Sequence, residues 1–245
     1  MPVSYKLEVI AFTIESCATM QQSGAHRIEL CDNAAEGGTT PSFGMIKAAR
    51  EKVSIDLFPI IRPRGGDFLY SEDEFKIILQ DVKLCKQLGC DGVVVGLLNA
   101  DGTIDTKRTA QIVEAAQPMQ VTFHRAFDRC KEPFEALEKL VQLGCSRILT
   151  SGQQPLATAG ADLIAQLVKA ADKRIIIMPG SGVRKDNIKM LADKTGAVEF
   201  HTSLRSYAKS KMDFIHPAFA ASEDSYAHPA VNAQDIKAVL NALNN

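Results

Sequence analysis

The chain lacks any sequence signature of covalent or metal-dependent catalysis. HExxH, DxD and the GxSxG nucleophile elbow are all absent, and the six cysteines (Cys17, Cys31, Cys85, Cys90, Cys130 and Cys145) include no CxxC pair. No metal or covalent mechanism is therefore forced by a motif. An excess of either charge is also missing: 28 Lys and Arg stand against 29 Asp and Glu, a formal net charge of −1. Without a basic stripe, an RNP-like aromatic cluster or a Lys/Arg-rich arm, nucleic acid is not an expected partner. No apolar run approaches the roughly 20 residues that span a bilayer. The opening MPVSYKLEVIAF does not follow the charged, apolar, small order of a signal peptide. These absences predict a cytoplasmic protein without a membrane partner, whose reduced cysteines act mostly as small buried hydrophobes.

What the chain does contain is a recurring short apolar run. KLEVIAF from Lys6, RIELC from Arg27, DLFPIIR from Asp56 and DGVVVG from Asp91 are the first four. QVTFH from Gln120, RILTS from Arg147, RIIIMPG from Arg174 and VEFHTS from Val198 complete eight. Helix-period segments lie between them, such as 72–88 with Phe75, Ile78, Leu79, Val82 and Cys85 at helical spacing. In 132–143, Phe134, Leu137, Leu140 and Val141 predict a second apolar face. Strands alternating with helices predict βα units and a parallel sheet. A weak repeat, SGAHRIEL, LGCDGVVV, LGCSRILT and TGAVEFHT, places a Gly before the second, fourth, sixth and eighth strands. That two-unit period predicts one α/β domain over residues 1–245, a (βα)8 TIM barrel. An open doubly wound sheet is the alternative, but no Gly-rich dinucleotide loop follows the first strand.

In such barrels the chemistry sits where strands end. The polar residues expected there are Glu29 and Cys31 on the second strand, Arg62 and Arg64 on the third, and His124, Arg125 and Asp128 on the fifth. The sixth supplies Ser151, the seventh Gly180, Ser181 and Gly182, and the eighth His201. In IIRPRGGDF two arginines follow a buried run with one proline between them, which predicts an anionic partner at the mouth. Arg64, beyond the strand, is the better ligand candidate; Glu8 and Glu29 are alternative internal partners for Arg62. PGSG before a helix offers backbone N–H groups of Ser181 to Val183 to the same anion. Glu29, His124 and Asp128 are candidate proton carriers. His26, His216 and His228 read as structural or surface residues.

Taken in order, LEVIAF, RIELCDNAAEGGTTPSFG, IRPRGGDFLYS, DGVVVGLLNADGTID, VTFHRAFD, RILTSGQ, IIIMPGSGVRKDN and EFHTSLRS resemble the CutC copper homeostasis family. The resemblance covers about residues 7–206, with EGGTTPS and RPRGGDF contributing most. It implies a TIM barrel, a homo-oligomer and a role in copper trafficking or tolerance, and it implies no particular reaction. Copper(I) prefers thiolate, thioether and imidazole. Cys31 is the candidate ligand within the motif, with Met178, His124 and His201 as conceivable companions. Ile10 stands where some family members carry a second cysteine. Two expectations follow: a copper(I)-binding homeostasis protein, or an enzyme acting on a small anionic or phosphorylated molecule by acid–base chemistry.

Overall fold

The computed structural model describes residues 4–219 and 226–244. Eight parallel strands each end in a loop that leads to a helix on the outside. The strands are β1 (Lys6–Ala11), β2 (Arg27–Leu30), β3 (Asp56–Pro59), β4 (Gly92–Val95), β5 (Gln120–Phe123), β6 (Arg147–Thr150), β7 (Ile176–Pro179) and β8 (Glu199–Thr202). The helices are α1 (Ile14–Gln22), α2 (Phe43–Lys52), α3 (Glu72–Gln87), α4 (Thr106–Ala116), α5 (Pro133–Gln142), α6 (Ala161–Ala171), α7 (Ile188–Thr195) and α8 (Ala233–Asn244). The hydrogen-bonded order is β8–β1–β2–β3 and β4–β5–β6–β7. A parallel bridge between Ile60 and Val94 joins the halves, with the Ile61 N–H donating to Val94 O at 2.8 Å. Strands β7 and β8 pack side by side without a ladder between them among the described residues. The ring is thus barrel-like, with one seam.

The four glycines of the sequence repeat close the turns that lead into β2, β4, β6 and β8. Gly24, Gly89, Gly144 and Gly196 have φ of 90, 75, 81 and 71°, a left-handed region that a side chain would strain. Polar N-caps start several helices, and Ser71 with Glu74 forms a full capping box on α3. Ser42 caps α2, while the Thr40 hydroxyl accepts the backbone N–H of Arg62.

Successive strand residues face opposite ways, so each strand feeds two environments. One set, including Leu7, Ile28, Leu57, Val93 and Phe200, packs under the helices in the main apolar core. The other set turns inside the ring, where Ile10, Cys31, Phe58, Ile60 and Val94 form a second, smaller apolar cluster. On α5 the buried residues are Ala136, Leu137 and Leu140, and Phe134 is exposed, one turn ahead of the face expected for it. An antiparallel hairpin, β9 (Arg205–Lys209) with β10 (Ala227–Val231), follows the eighth strand. It carries His228 at an exposed position of β10. No helix among the described residues is long and apolar enough to cross a membrane.

Candidate functional site

The interior of the ring carries ions where barrels usually carry branched aliphatics. Arg27 donates to Glu8 at 2.5 Å and to Glu199 at 2.6 Å, and Arg147 donates to Glu199 at 3.0 Å. Both guanidinium groups lie over the Phe58 ring, about 5.0 and 5.3 Å from its centroid. All four charged residues are buried. Burial alone would raise the Glu8 carboxyl, but Arg27 and His201 overcome it and hold it down at about 2. Glu8 therefore stays ionised.

Towards the strand ends this layer meets Glu29 and His201. The ionised Glu8 accepts from His201 Nδ1 at 2.8 Å, which leaves Nε2 facing Glu29 at 3.7 Å. Burial opposes the imidazolium, yet the Glu8 hydrogen bond and the two carboxyls raise its pKa overall. Glu29 is 3% exposed, with no hydrogen bond from its side chain among the described residues. Burial pushes its carboxyl up to about 7, with His201 pulling the other way and Glu8 adding to the rise. A carboxyl that exchanges its proton near neutrality, beside a histidine, is an acid–base pair.

Glu29 and His201 line a cavity of about 260 Å³ at the mouth, together with Arg62, His124, Arg125 and Arg205. Glu29 is its one carboxyl against three arginines. Arg62, 6% exposed, gives its terminal nitrogens to three backbone carbonyls: Glu36 at 2.7 Å, Gly38 at 2.9 Å and Gly66 at 3.0 Å. Its Nε has no hydrogen-bond partner, and Arg62 has no carboxylate partner among the described residues. Carbonyl oxygens fix the group without cancelling its charge. Arg205 likewise bonds a carbonyl, that of Ala34 at 3.0 Å. Arg125 is the paired one, with Asp128 at 2.7 Å.

His124 is buried at the end of β5 and opens the 3₁₀ turn Arg125–Arg129. Its Nδ1 accepts the Ala126 N–H at 3.1 Å, and its ring lies 4.9 Å from that of Phe68. Burial and the Arg62 charge lower its pKa to about 3, so the ring is neutral. Phe68 had drawn no attention in the sequence; its only signal there is an aromatic straight after RPRGGD.

Several expected site residues lie elsewhere. Arg64 points away from the cavity, paired with Glu74 at 2.6 Å and Asp67 at 3.0 Å and stacked on Tyr70. Those acids follow it closely in the sequence and reach it first. Asp128 accepts from Thr150 Oγ1 at 2.5 Å and from the backbone N–H groups of Ser151 and Gln153 at 3.0 and 3.1 Å. It pins the loop after β6, with both of its oxygens taken by donors of that loop and by Arg125. Ser151 is buried in the same network, donating to Gln154 O. The Gly180 N–H is spent on Thr150 O at 2.9 Å. Ser181 and Gly182 do line the cavity, with φ of 80 and 72°. The following helix begins only at Ile188, so no helix N-terminus faces an anion there. The expected pairing of Arg62 with Glu8 or Glu29 is also not made: Glu8 is taken by Arg27 and His201.

The family model for CutC matches residues 5–206. The chain belongs to the CutC family. It is 49% identical over 240 residues to a CutC family protein of Chromobacterium violaceum, covering 97% of each chain. A CutC family protein of Parabacteroides distasonis is 56% identical over 209 residues, 85% of this chain and 86% of that one. A CutC crystal structure from Streptococcus agalactiae, named for copper homeostasis, superposes with a TM-score of 0.77 at 35% identity, over 81% of this chain and 98% of that one.

The copper in the CutC family name can be tested against these side chains. Cys31 is 1% exposed within the apolar cluster of Ile10, Phe58, Ile60 and Val94, and the Ile10 position offers no second thiol. Burial, with Glu29 and Glu8 nearby, pushes its thiol well above the ordinary range, away from the thiolate that binds metal. Met178 Sδ accepts from Arg27 at 3.4 Å in the ion layer, so the soft donors do not converge. The residues around Cys31 do not fit copper(I). Among the described residues, the one group of metal-binding side chains whose ligand atoms lie close together, within 4.8 Å, is Glu8, Glu29 and His201. That is an oxygen-rich set unsuited to copper(I). With one Glu8 oxygen on Arg27 and the other on His201, it is already closed as a hydrogen-bonded chain.

Proposed function

We propose that this CutC-family protein binds a small anionic molecule at the barrel mouth and moves a proton on it, with Glu29 as the proton carrier. The observation that carries the reading is the charge of the cavity: two arginines without a carboxylate partner among the described residues, Arg62 and Arg205, against the one carboxyl of Glu29, with Arg62 fixed by carbonyls. A guanidinium held this way is preorganised for a carboxylate or phosphate. Glu29 supplies the base when ionised and the acid when protonated. His201, steadied by Glu8, adjusts that balance from behind. Copper handling has support from the family name, whereas the soft ligands at Cys31 do not converge. Cytoplasmic location and a homo-oligomer complete the proposal on the strength of the family; fractionation and light scattering check them.

Calorimetric titration with inorganic phosphate and with short dicarboxylates tests the reading. Arg62→Ala and Arg205→Ala should weaken binding at least tenfold, about 1.4 kcal/mol each. Arg64→Ala, whose guanidinium faces Glu74 and Asp67, should bind as the wild type does. Failure of every anion to bind, or equal binding by all four proteins, overturns the proposal.

A further inference from the structure

We infer that His124 is a fixed, neutral hydrogen-bond donor for the carbonyl oxygen of the ligand, which makes the substrate class a small anionic carbonyl compound and the reaction a proton transfer at the carbon beside that carbonyl. This rests on the acid–base reading above and adds to it the electrophile that such chemistry needs.

The geometry starts from the turn after β5. Because Nδ1 accepts the Ala126 N–H, it carries no proton, so the neutral ring bears its single hydrogen on Nε2. Nε2 is buried and has no partner among the described residues, although His124 lines the cavity. Buried N–H groups are rarely left unmatched, and each such exception calls for an acceptor. The ring cannot turn away to find one elsewhere. Phe68 packs on it, and a side chain at Gly96 would put its Cβ 2.3 Å from the ring, so only glycine lets the imidazole lie where it does. The neighbouring Arg62 charge disfavours the imidazolium.

The division of labour in the cavity then decides which acceptor. Anionic oxygens are drawn to the guanidinium groups of Arg62 and Arg205. A neutral donor suits an uncharged oxygen that becomes an oxyanion during reaction, because it stabilises the new charge without binding the ground state too tightly. Neutral imidazole paired with a carboxyl base is a known solution to enolisation. Here Glu29 takes the proton from carbon, and the C–H electron pair becomes the enolate double bond. The carbonyl π pair moves onto oxygen, which receives the Nε2–H hydrogen bond. Return of a proton from Glu29 to that carbon re-forms the C–H bond and the carbonyl; where Glu29 has traded its proton with water in between, the hydrogen on that carbon has been exchanged with solvent, and no further reactant is needed.

Two measurements test this. Long-range ¹H–¹⁵N correlation on wild-type protein should give His124 as the Nε2–H tautomer from pH 5 to pH 8; a protonated ring or the Nδ1–H tautomer overturns the inference. The second compares a phosphorylated hydroxamate, which carries an enolate-like oxygen, with inorganic phosphate. Wild type should hold the hydroxamate at least tenfold more tightly than phosphate. His124→Phe should erase that preference while leaving phosphate affinity within twofold, and His124→Gln, which restores a neutral donor, should recover part of it. Equal loss of both probes, or no preference for the hydroxamate in wild type, overturns the role of His124 and leaves the anion site standing. If neither phosphate nor any dicarboxylate binds, the acid–base reading falls, and this inference with it; if only a dicarboxylate binds, the comparison is run with a carboxylate-bearing hydroxamate against that dicarboxylate and the same outcomes decide.

Discussion

Replacing Glu29 by Gln separates a proton-exchanging carboxyl from a merely buried polar group. The side chain keeps its shape and loses its charge. A free glutamate has its pKa near 4.5, and burial raises Glu29 to about 7. Between those values the unfolded chain has released the proton that the folded chain still holds. A raised carboxyl therefore stabilises the fold at low pH, and that stability is lost as pH rises through 7. At about 1.4 kcal/mol per unit, the contribution falls by roughly 2 to 3 kcal/mol from pH 5 to pH 8. His201, also raised, loses stabilising free energy with rising pH in the same sense. Glu8, depressed to about 2, changes nothing in this window. Urea unfolding of wild type and Glu29→Gln at pH 5, 6, 7 and 8 should show the variant gaining about 2 to 3 kcal/mol relative to wild type across the series. A difference between the two proteins that is constant with pH would falsify the assignment of a near-neutral proton to Glu29.

Three other outcomes are expected. Glu199→Gln leaves Arg27 and Arg147 short of a buried anion and should cost about 3 to 5 kcal/mol in urea unfolding, far more than an exposed carboxylate such as Glu138 would. Gly96→Ala should displace the His124 ring and abolish hydroxamate preference with phosphate binding retained; unchanged preference would show that the ring is not held by that contact. Anaerobic copper(I) titration against a chromophoric chelator should give the same curve for wild type and Cys31→Ser. A stoichiometric site that vanishes in the variant would show that the soft donors converge in solution after all.

The fold was legible because it depends on local patterns: β-branched runs, helical spacing and four glycines at matching turns. The hairpin β9–β10 was not, since its strands alternate weakly, carry Pro229 and bury little. Within the site, Glu29, Arg62, His124 and His201 could be read as strand-end polar residues, and the cavity brings them together. Arg64 could not be placed, because its choice of Glu74 over the cavity depends on how α3 returns to the loop. Asp128 shows the same limit. Three residues after Arg125 and one strand away from Ser151, it reads as a free acid until the turn folds its oxygens onto those donors. Sequence shows which groups stand at the mouth; only tertiary contacts show which of them are already spent.

That distinction explains why the buried ion layer matters to the site, which it touches only through the Glu8–His201 hydrogen bond. Arg27 and Arg147 carry two positive charges, and Glu8 and Glu199 carry two negative ones, so the layer is balanced before Glu29 is counted. A further negative charge on Glu29 is met first by a proton on His201 and less strongly by Arg27. Glu29 and His201 consequently share the proton between them and release it as a pair. Removing one arginine below would add an uncompensated negative charge and drive that proton on harder, so Arg147→Met should raise the pH at which the pair releases it. The shift is readable as movement of the His201 ring resonances to higher pH. If Arg147→Met folds and the titration does not move, the layer serves packing alone and does not tune the site.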